Sequence, residues 1–291
     1  MKIIYNIFLL LILSISFKDE IRVIGYGSSS LFFMEDSLNS ELGKAKYINL
    51  AKSGEIIETM VALQGANLVS VKFKEDLGLL KSKKYNIEVE PEYKFGNLKP
   101  KGIFNVKLEN DIYGEINLRE GIFRYDGPNR KIDIDKNFKI DFGFSELSRK
   151  SINIIFIGKN NIVSAGYSAD QVANYIDLMT KYLSTHGNKE FIVCGNFIDR
   201  GSSLASKKTI LELNDFLRSK YQHKYFDMQD YLMSDDIWKD LSMHPTTIDL
   251  ATRTKGELPP SLSRDQKHLT DEVYRLMAKR MKMKLKDLDY M

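Results

Sequence analysis

The feature that most limits what this chain can fold into is a change of hydrophobic period that happens twice. Near both ends, apolar runs of strand length alternate with helical spacing. Between them lies a long stretch of two-residue alternation. Ile21 to Ile24 reads as a buried strand and Lys46-Tyr47-Ile48-Asn49-Leu50 as a second. Gly54 then opens a helical stretch with Ile56, Ile57, Met60, Val61 and Leu68 roughly on one face. From Val69 the period is two: Val71/Phe73, Ile87/Val89, Phe104/Val106/Leu108, Ile116/Leu118, Ile132/Ile134 and Phe138/Ile140/Phe142 alternate with polar residues. Turn signals such as Gly96-Asn97 and Asp126-Gly127-Pro128-Asn129 separate these runs. The first rhythm then returns. Ile154 to Ile157 and Phe191 to Val193 read as strands; Val172/Ile176/Met179/Leu183, Ile210/Leu213/Leu217 and Leu269/Val273/Leu276/Met277/Met281 mark helices. Strand–helix alternation on both sides of a β block predicts a parallel sheet covered by helices, with the all-β segment inserted into it.

Charge and cysteine usage exclude several classes of function. The 43 basic and 39 acidic residues nearly cancel, and no basic stripe interleaved with aromatics is present, so nucleic acid is not an expected partner. Cys194 is the one cysteine, which rules out an intrachain disulfide framework, and no His/Asp/Glu cluster has metal-ligand spacing. No metal or cofactor is therefore expected. Met1-Lys2, the apolar run Ile3 to Leu13 and small residues at Ser14 and Ser16 describe a secretory signal over residues 1–16. The run is short for a membrane span, which needs about 20 apolar residues. The expected location is secreted, periplasmic or cell-surface, with an uncleaved anchor as the alternative and no transmembrane domain in the mature chain.

The candidate chemistry lies at the predicted strand ends. Ser29 follows the first strand in Gly27-Ser28-Ser29, Gly54 follows the second, and Asn160 follows the third in Gly158-Lys159-Asn160-Asn161. In open parallel sheets, sites form at the carboxyl ends of strands, so the three are expected to converge. Near the C-terminus, Asp265 and His268 stand three apart just before the last helix. A hydroxyl, an imidazole to take its proton and a carboxylate to orient the imidazole are what serine-type acyl transfer needs. Each residue also has a plainer reading. Ser29 is a turn former, Asn160 a turn cap, and Asp265 the N-cap of a helix beginning near His268 or Leu269.

Laid in order, these segments resemble the four blocks of the SGNH (GDSL-type) hydrolase family. Gly27-Ser28-Ser29 is similar to the first block, Gly54 to the second, Gly158-Lys159-Asn160-Asn161 to the third and Asp265-Gln266-Lys267-His268 to the fourth. The resemblance implies a three-layer, flavodoxin-like parallel-sheet core interrupted by an all-β insertion. The corresponding segments are 17–68 and 149–291 for the core and 69–148 for the insertion. It implies a triad of Ser29, His268 and Asp265, and an oxyanion hole from Ser29, Gly54 and Asn160. Two positions depart from the family: Ser28 and Asn161 stand where it has aspartates, and Ser28 leaves a second hydroxyl beside Ser29. The runs Ile155 to Asn161, Met60 to Ala66 and Gly256 to Leu262 resemble SGNH domains of phage tail and bacterial surface proteins. The activity so implied is a serine esterase removing O-acetyl groups from a carbohydrate polymer. The alternatives are a lipase- or thioesterase-type acyl hydrolase and a catalytically weak glycan-binding module.

Overall fold

The structure, a computed structural model, describes residues 21–67, 69–74, 78–89, 103–129, 131 and 136–291. The expected signal over 1–16, Leu68, the Gly96-Asn97 turn and the Ile132/Ile134 pair lie outside the described residues.

From the N-terminal side, β1 (Arg22–Gly27) leads into α1 (Ser29–Phe33), α2 (Glu35–Leu42) and β2 (Lys46–Asn49). The helix expected after Gly54 is α3 (Ile57–Gln64), which stops at Gly65 in a left-handed conformation. Six short strands follow: β3 (Ser70–Phe73), β4 (Lys84–Val89), β5 (Phe104–Leu108), β6 (Ile112–Asn117), β7 (Ile122–Tyr125) and β8 (Phe138–Asp141). The chain returns through α4 (Ser145–Arg149), β9 (Ile152–Phe156), α5 (Lys159–Ala165), α6 (Ala169–Thr185), β10 (Phe191–Cys194), α7 (Leu204–Tyr221) and β11 (Tyr225–Phe226). It ends with α8 (Met228–Met233), α9 (Asp236–Asp240), α10 (Thr247–Thr254) and α11 (Asp271–Asp287).

Strands β11-β10-β9-β1-β2 form one sheet, every pair parallel. Numbered by their place in this sheet, the order is 2-1-3-4-5, the doubly wound arrangement expected. Side-chain alternation splits the strand residues between two apolar layers. Ile24, Tyr26, Ile155 and Val193 pack with α3, α6 and α7; Val23, Ile154, Phe156, Ile192 and Cys194 pack with α2, α8 and α11. Helices on both faces make the three layers.

The period-two segment closes into an antiparallel barrel ordered β3-β4-β7-β6-β5-β8, with β8 pairing back to β3. Val71, Phe73, Tyr85, Ile87, Phe123 and Phe138 point inward, as the alternation requires. Phe73 packs edge-on against Tyr85, Phe123 and Phe138, with ring centroids 5.6–6.0 Å apart. The barrel interior and the α3 side of the sheet form one continuous apolar cluster. Strand β7 was not expected; its Phe123/Tyr125 alternation is present but only four residues long.

Candidate functional site

The order reversal in the sheet lies between β1 and β9, and the carboxyl ends of these strands and of β2 carry the first three candidate segments. β1 runs to Gly27, and Ser29 is the first residue of α1 rather than a residue of a free turn. Ser28, in extended conformation ahead of the helix, is 5 % exposed, whereas Ser29 is only half-buried. Of the two adjacent hydroxyls, Ser29 is therefore the accessible one.

The segment after β2 continues alongside β1. The Leu50 amide donates to Gly25 O at 2.9 Å and the Lys52 amide to Gly27 O at 3.4 Å. Gly54 then turns the chain at φ 73°, a conformation that favours glycine. After β9, Gly158 adopts φ 109°, and a Cβ there would stand 2.4 Å from Val172 Cγ1, so glycine is required on both counts. The turn at Gly158 starts α5 and aims Asn160 at the Gly54 segment, where Asn160 Nδ2 donates to Glu55 O at 2.9 Å. That amide nitrogen carries two hydrogens, so it retains a second donor.

Asn161 completes the link, and its identity has a physical reason. Its Oδ1 accepts from the Ile57 amide at 3.0 Å, while its Nδ2 donates to Glu58 Oε2 at 2.8 Å. Glu58, 1 % exposed, also accepts from Tyr167 Oη at 2.5 Å. An aspartate at 161 would set a second carboxylate against Glu58 in a buried site; asparagine supplies the donor instead.

Asp265 and His268 sit on a hairpin-like turn, closed by the Arg264 amide donating to His268 O at 3.0 Å and by a bridge between Ser263 and Leu269. Asp265 Oδ1 accepts from the amides of Lys267 and His268 at 2.6 and 2.7 Å, and Oδ2 lies 2.7 Å from His268 Nδ1. Partial burial pushes this carboxyl up. The bond from His268 and the two backbone donors outweigh that and hold it well below the usual carboxylate range. The plainer reading of Asp265 is thereby corrected. The last helix starts at Asp271 with Thr270 as its cap, Thr270 Oγ1 accepting from the Val273 amide. Asp265 instead fixes the turn and the imidazole.

The turn is docked onto the segment after β10. The Arg200 amide donates to Gln266 O at 3.0 Å and its guanidinium to Asp265 O at 3.3 Å. Upstream, Leu258 N donates to Ile198 O, while Glu257 accepts from the Gly201 amide and pairs with Lys207. On its other side the His268 ring packs edge-on against Phe33, with centroids 5.0 Å apart. Phe33 lies four residues after Ser29 on α1, so the two share a helix face. Arg264 covers the same Phe33 ring at 4.9 Å. Among the described residues, no hydrogen bond joins Ser29 Oγ to His268; in unliganded sites such bonds are often long and tighten when substrate enters. No group of three His, Cys, Asp or Glu among the described residues could hold a metal ion.

Sequence reasoning did not single out Asp199, Arg200 and Arg264: Asp199 Oδ1 lies 2.7 Å from Lys159 Nζ, Arg200 bonds the backbone of Asp265 and Gln266, and Arg264 covers the Phe33 ring. Asp199 and Arg200 follow β10 and stand at a strand end, as Ser29 and Asn160 do. That position was the signal that could have found them.

No protein-family model and no curated protein matches the sequence. Solved structures do. One described as an acylhydrolase from Bacteroides fragilis matches over 93 % of this chain and 89 % of its own, at 13 % identity and a TM-score of 0.52. A lipolytic protein of the G-D-S-L family from Desulfitobacterium hafniense covers 91 % and 99 % at 10 % identity and TM-score 0.48. A lipase/acylhydrolase from Enterococcus faecalis covers 92 % and 96 % at 9 % identity and TM-score 0.48. With the 2-1-3-4-5 parallel sheet and the four segments at its carboxyl edge, the chain has the SGNH, or GDSL-type, hydrolase fold.

Proposed function

We propose that the protein is an exported serine esterase that removes O-acetyl groups from a carbohydrate polymer. Ser29 Oγ attacks the ester carbonyl while His268 Nε2 takes its proton. Asp265, bonded to Nδ1, keeps Nε2 free to accept that proton and stabilises the imidazolium. The developing oxyanion takes the amides of Ser29 and Gly54 and the second hydrogen of Asn160 Nδ2. Each such donor is typically worth about 3 kcal/mol of barrier. Collapse breaks the ester bond, and His268 gives its proton to the departing sugar oxygen. Water then attacks the acetyl-serine with the same imidazole as base, releasing acetate and restoring Ser29.

The observation that carries this reading is the 2.7 Å pair of Asp265 Oδ2 and His268 Nδ1, its ring packed on the α1 face that also bears Ser29. A polymer substrate is supported by the barrel's place beside the site. Lys52, two residues before Gly54, sets its ammonium 4.0 Å from the Phe104 ring of β5, so the barrel lies beside the segment that carries Gly54. p-Nitrophenyl acetate hydrolysis and acetate release from O-acetylated glycans test the proposal. Wild-type protein is expected to turn over and Ser29→Ala to be silent; equal rates would remove Ser29 from the mechanism. Phe32, 41 % exposed on α1, favours a second reading in which a longer acyl chain is accepted. Octanoyl esters turned over faster than acetyl esters would select it. No helix among the described residues is long and apolar enough to cross a membrane. N-terminal sequencing of protein recovered outside the cell tests cleavage near residue 16.

A further inference from the structure

The mechanism above leaves one buried charged pair unused. Lys159 Nζ lies 2.7 Å from Asp199 Oδ1, with the two side chains 9 % and 8 % exposed. Burying an ion pair usually gains little stability over an apolar pair of the same volume, so its presence beside a site calls for another reason. Its place in the fold supplies one. Lys159 is the first residue of α5, between Gly158, whose backbone turn aims the segment, and Asn160. Asp199 immediately precedes Arg200, which holds the backbone of Asp265 and Gln266. Lys159 Nζ is also stacked 3.7 Å over the ring of Phe197, on the same segment as Asp199. Burial lowers the lysine's proton affinity and Asp199 raises it, while Asp265 and Lys267 are near enough to act on it electrostatically.

The geometry points to Lys159 and Asp199 as a positioning pair that locks the oxyanion-binding Asn160 and the Asp265–His268 turn into one rigid unit. The inference rests on the esterase reading above and adds to it. The pair ties the β9 end, by a charged side chain at each end, to the segment after β10 on which that turn is docked. Neither residue needs to touch substrate. Asn160 acts on the oxyanion and His268 on the proton, and both must be correctly placed in the same transition state. A pair that sets their separation therefore acts on kcat, whereas one that only supports the fold acts on melting temperature.

The test compares p-nitrophenyl acetate kinetics, fluorophosphonate labelling of Ser29 and thermal unfolding across wild type, Ser29→Ala, Asp199→Asn and the double variant Lys159→Met/Asp199→Leu. The double variant fills the same volume without charge and is expected to melt close to wild type. Its kcat is expected to fall by about tenfold to a hundredfold, as for a displacement of about 1 Å, with KM nearly unchanged and labelling slowed in parallel. Asp199→Asn keeps an acceptor oxygen and the side-chain shape, so it reads the same loss of kcat should the double variant not fold. Wild-type kcat in a folded variant overturns the positioning role and leaves the esterase intact. Loss of kcat that only tracks loss of melting temperature overturns it too. A wild-type protein no more active than Ser29→Ala overturns the esterase reading, and this inference with it.

Discussion

Replacing Asp265 by asparagine separates an orienting carboxylate from a merely structural one, because the two oxygens of Asp265 do different work. Oδ1 accepts two backbone amides, at 2.6 and 2.7 Å, and Oδ2 alone faces His268 Nδ1. An asparagine keeps its carbonyl on the two amides, since its NH2 cannot accept from them. Its NH2 then points at Nδ1 and donates to it. The imidazole is forced into the tautomer whose proton sits on Nε2, which cannot accept the serine proton. Asp265→Ala lacks that donor and leaves the tautomer free. Asp265→Asn is thus expected to be as slow as Asp265→Ala or slower, although it is the more conservative change. The same substitution at a fully buried triad carboxylate costs about 10⁴ in kcat. Here the Asp265 and His268 side chains are 50 % and 23 % exposed, and water can partly restore the productive tautomer. A fall of about 10²–10³, or about 3–4 kcal/mol of barrier, is the corresponding expectation. Steady-state hydrolysis of p-nitrophenyl acetate, with circular dichroism to confirm folding, measures it. A folded Asp265→Asn enzyme within about threefold of wild type would refute the tautomer argument. The pH dependence has a definite sign. A carboxyl depressed by folding contributes its full stability above the ordinary aspartate range, near pH 4, and loses it progressively as pH falls from there through its lowered value. The turn therefore holds its charged form through acid conditions, and any titration in kcat/KM near neutrality belongs to another group.

Three further outcomes follow from single contacts. Asn160→Ala removes the donor proposed for the oxyanion, so kcat should fall by about 10²–10³ with KM little changed; a rise confined to KM would assign Asn160 to ground-state binding. Asn161→Asp sets a carboxylate against buried Glu58, and should destabilise by about 1–3 kcal/mol in denaturant titrations. Equal stability would mean that Glu58 does not need the amide donor. Gly158→Ala places a methyl 2.4 Å from Val172 Cγ1 at φ 109°, and should lower both melting temperature and kcat, by about 1–3 kcal/mol in stability. A stable, fully active alanine variant would show that the α5 entry is not constrained.

Strand–helix alternation in the two flanking segments was sufficient for the parallel sheet, because each strand's apolar run and each helix's stripe is local. β1, β2, β9 and β10 and the helices α3, α6, α7 and α11 all occur where the pattern placed them. β11, two residues long, and the short helices α8 and α9, six and five residues long, were not legible, since none is long enough to carry a period. The candidate residues were legible as types at strand ends. Their roles were not: Asp265 reads equally well as a helix cap until the start of α11 at Asp271 is known.

What the sequence determined by itself, then, is the sheet, the strand ends and the residue types available there, all set by side-chain pattern over a few consecutive positions. What only the tertiary structure decided is which of those residues meet. His268 packs on Phe33 of α1, the helix that begins at Ser29; Asn160 bonds Glu55 beside Gly54; and the Asp265 turn is held at the β10 end by Arg200. It also decided that the period-two segment closes into a barrel, with β8 returning to β3. These are pairings between residues far apart along the chain. They are settled by the order of strands in a sheet and by the packing of loops on its edge, neither of which leaves a local trace.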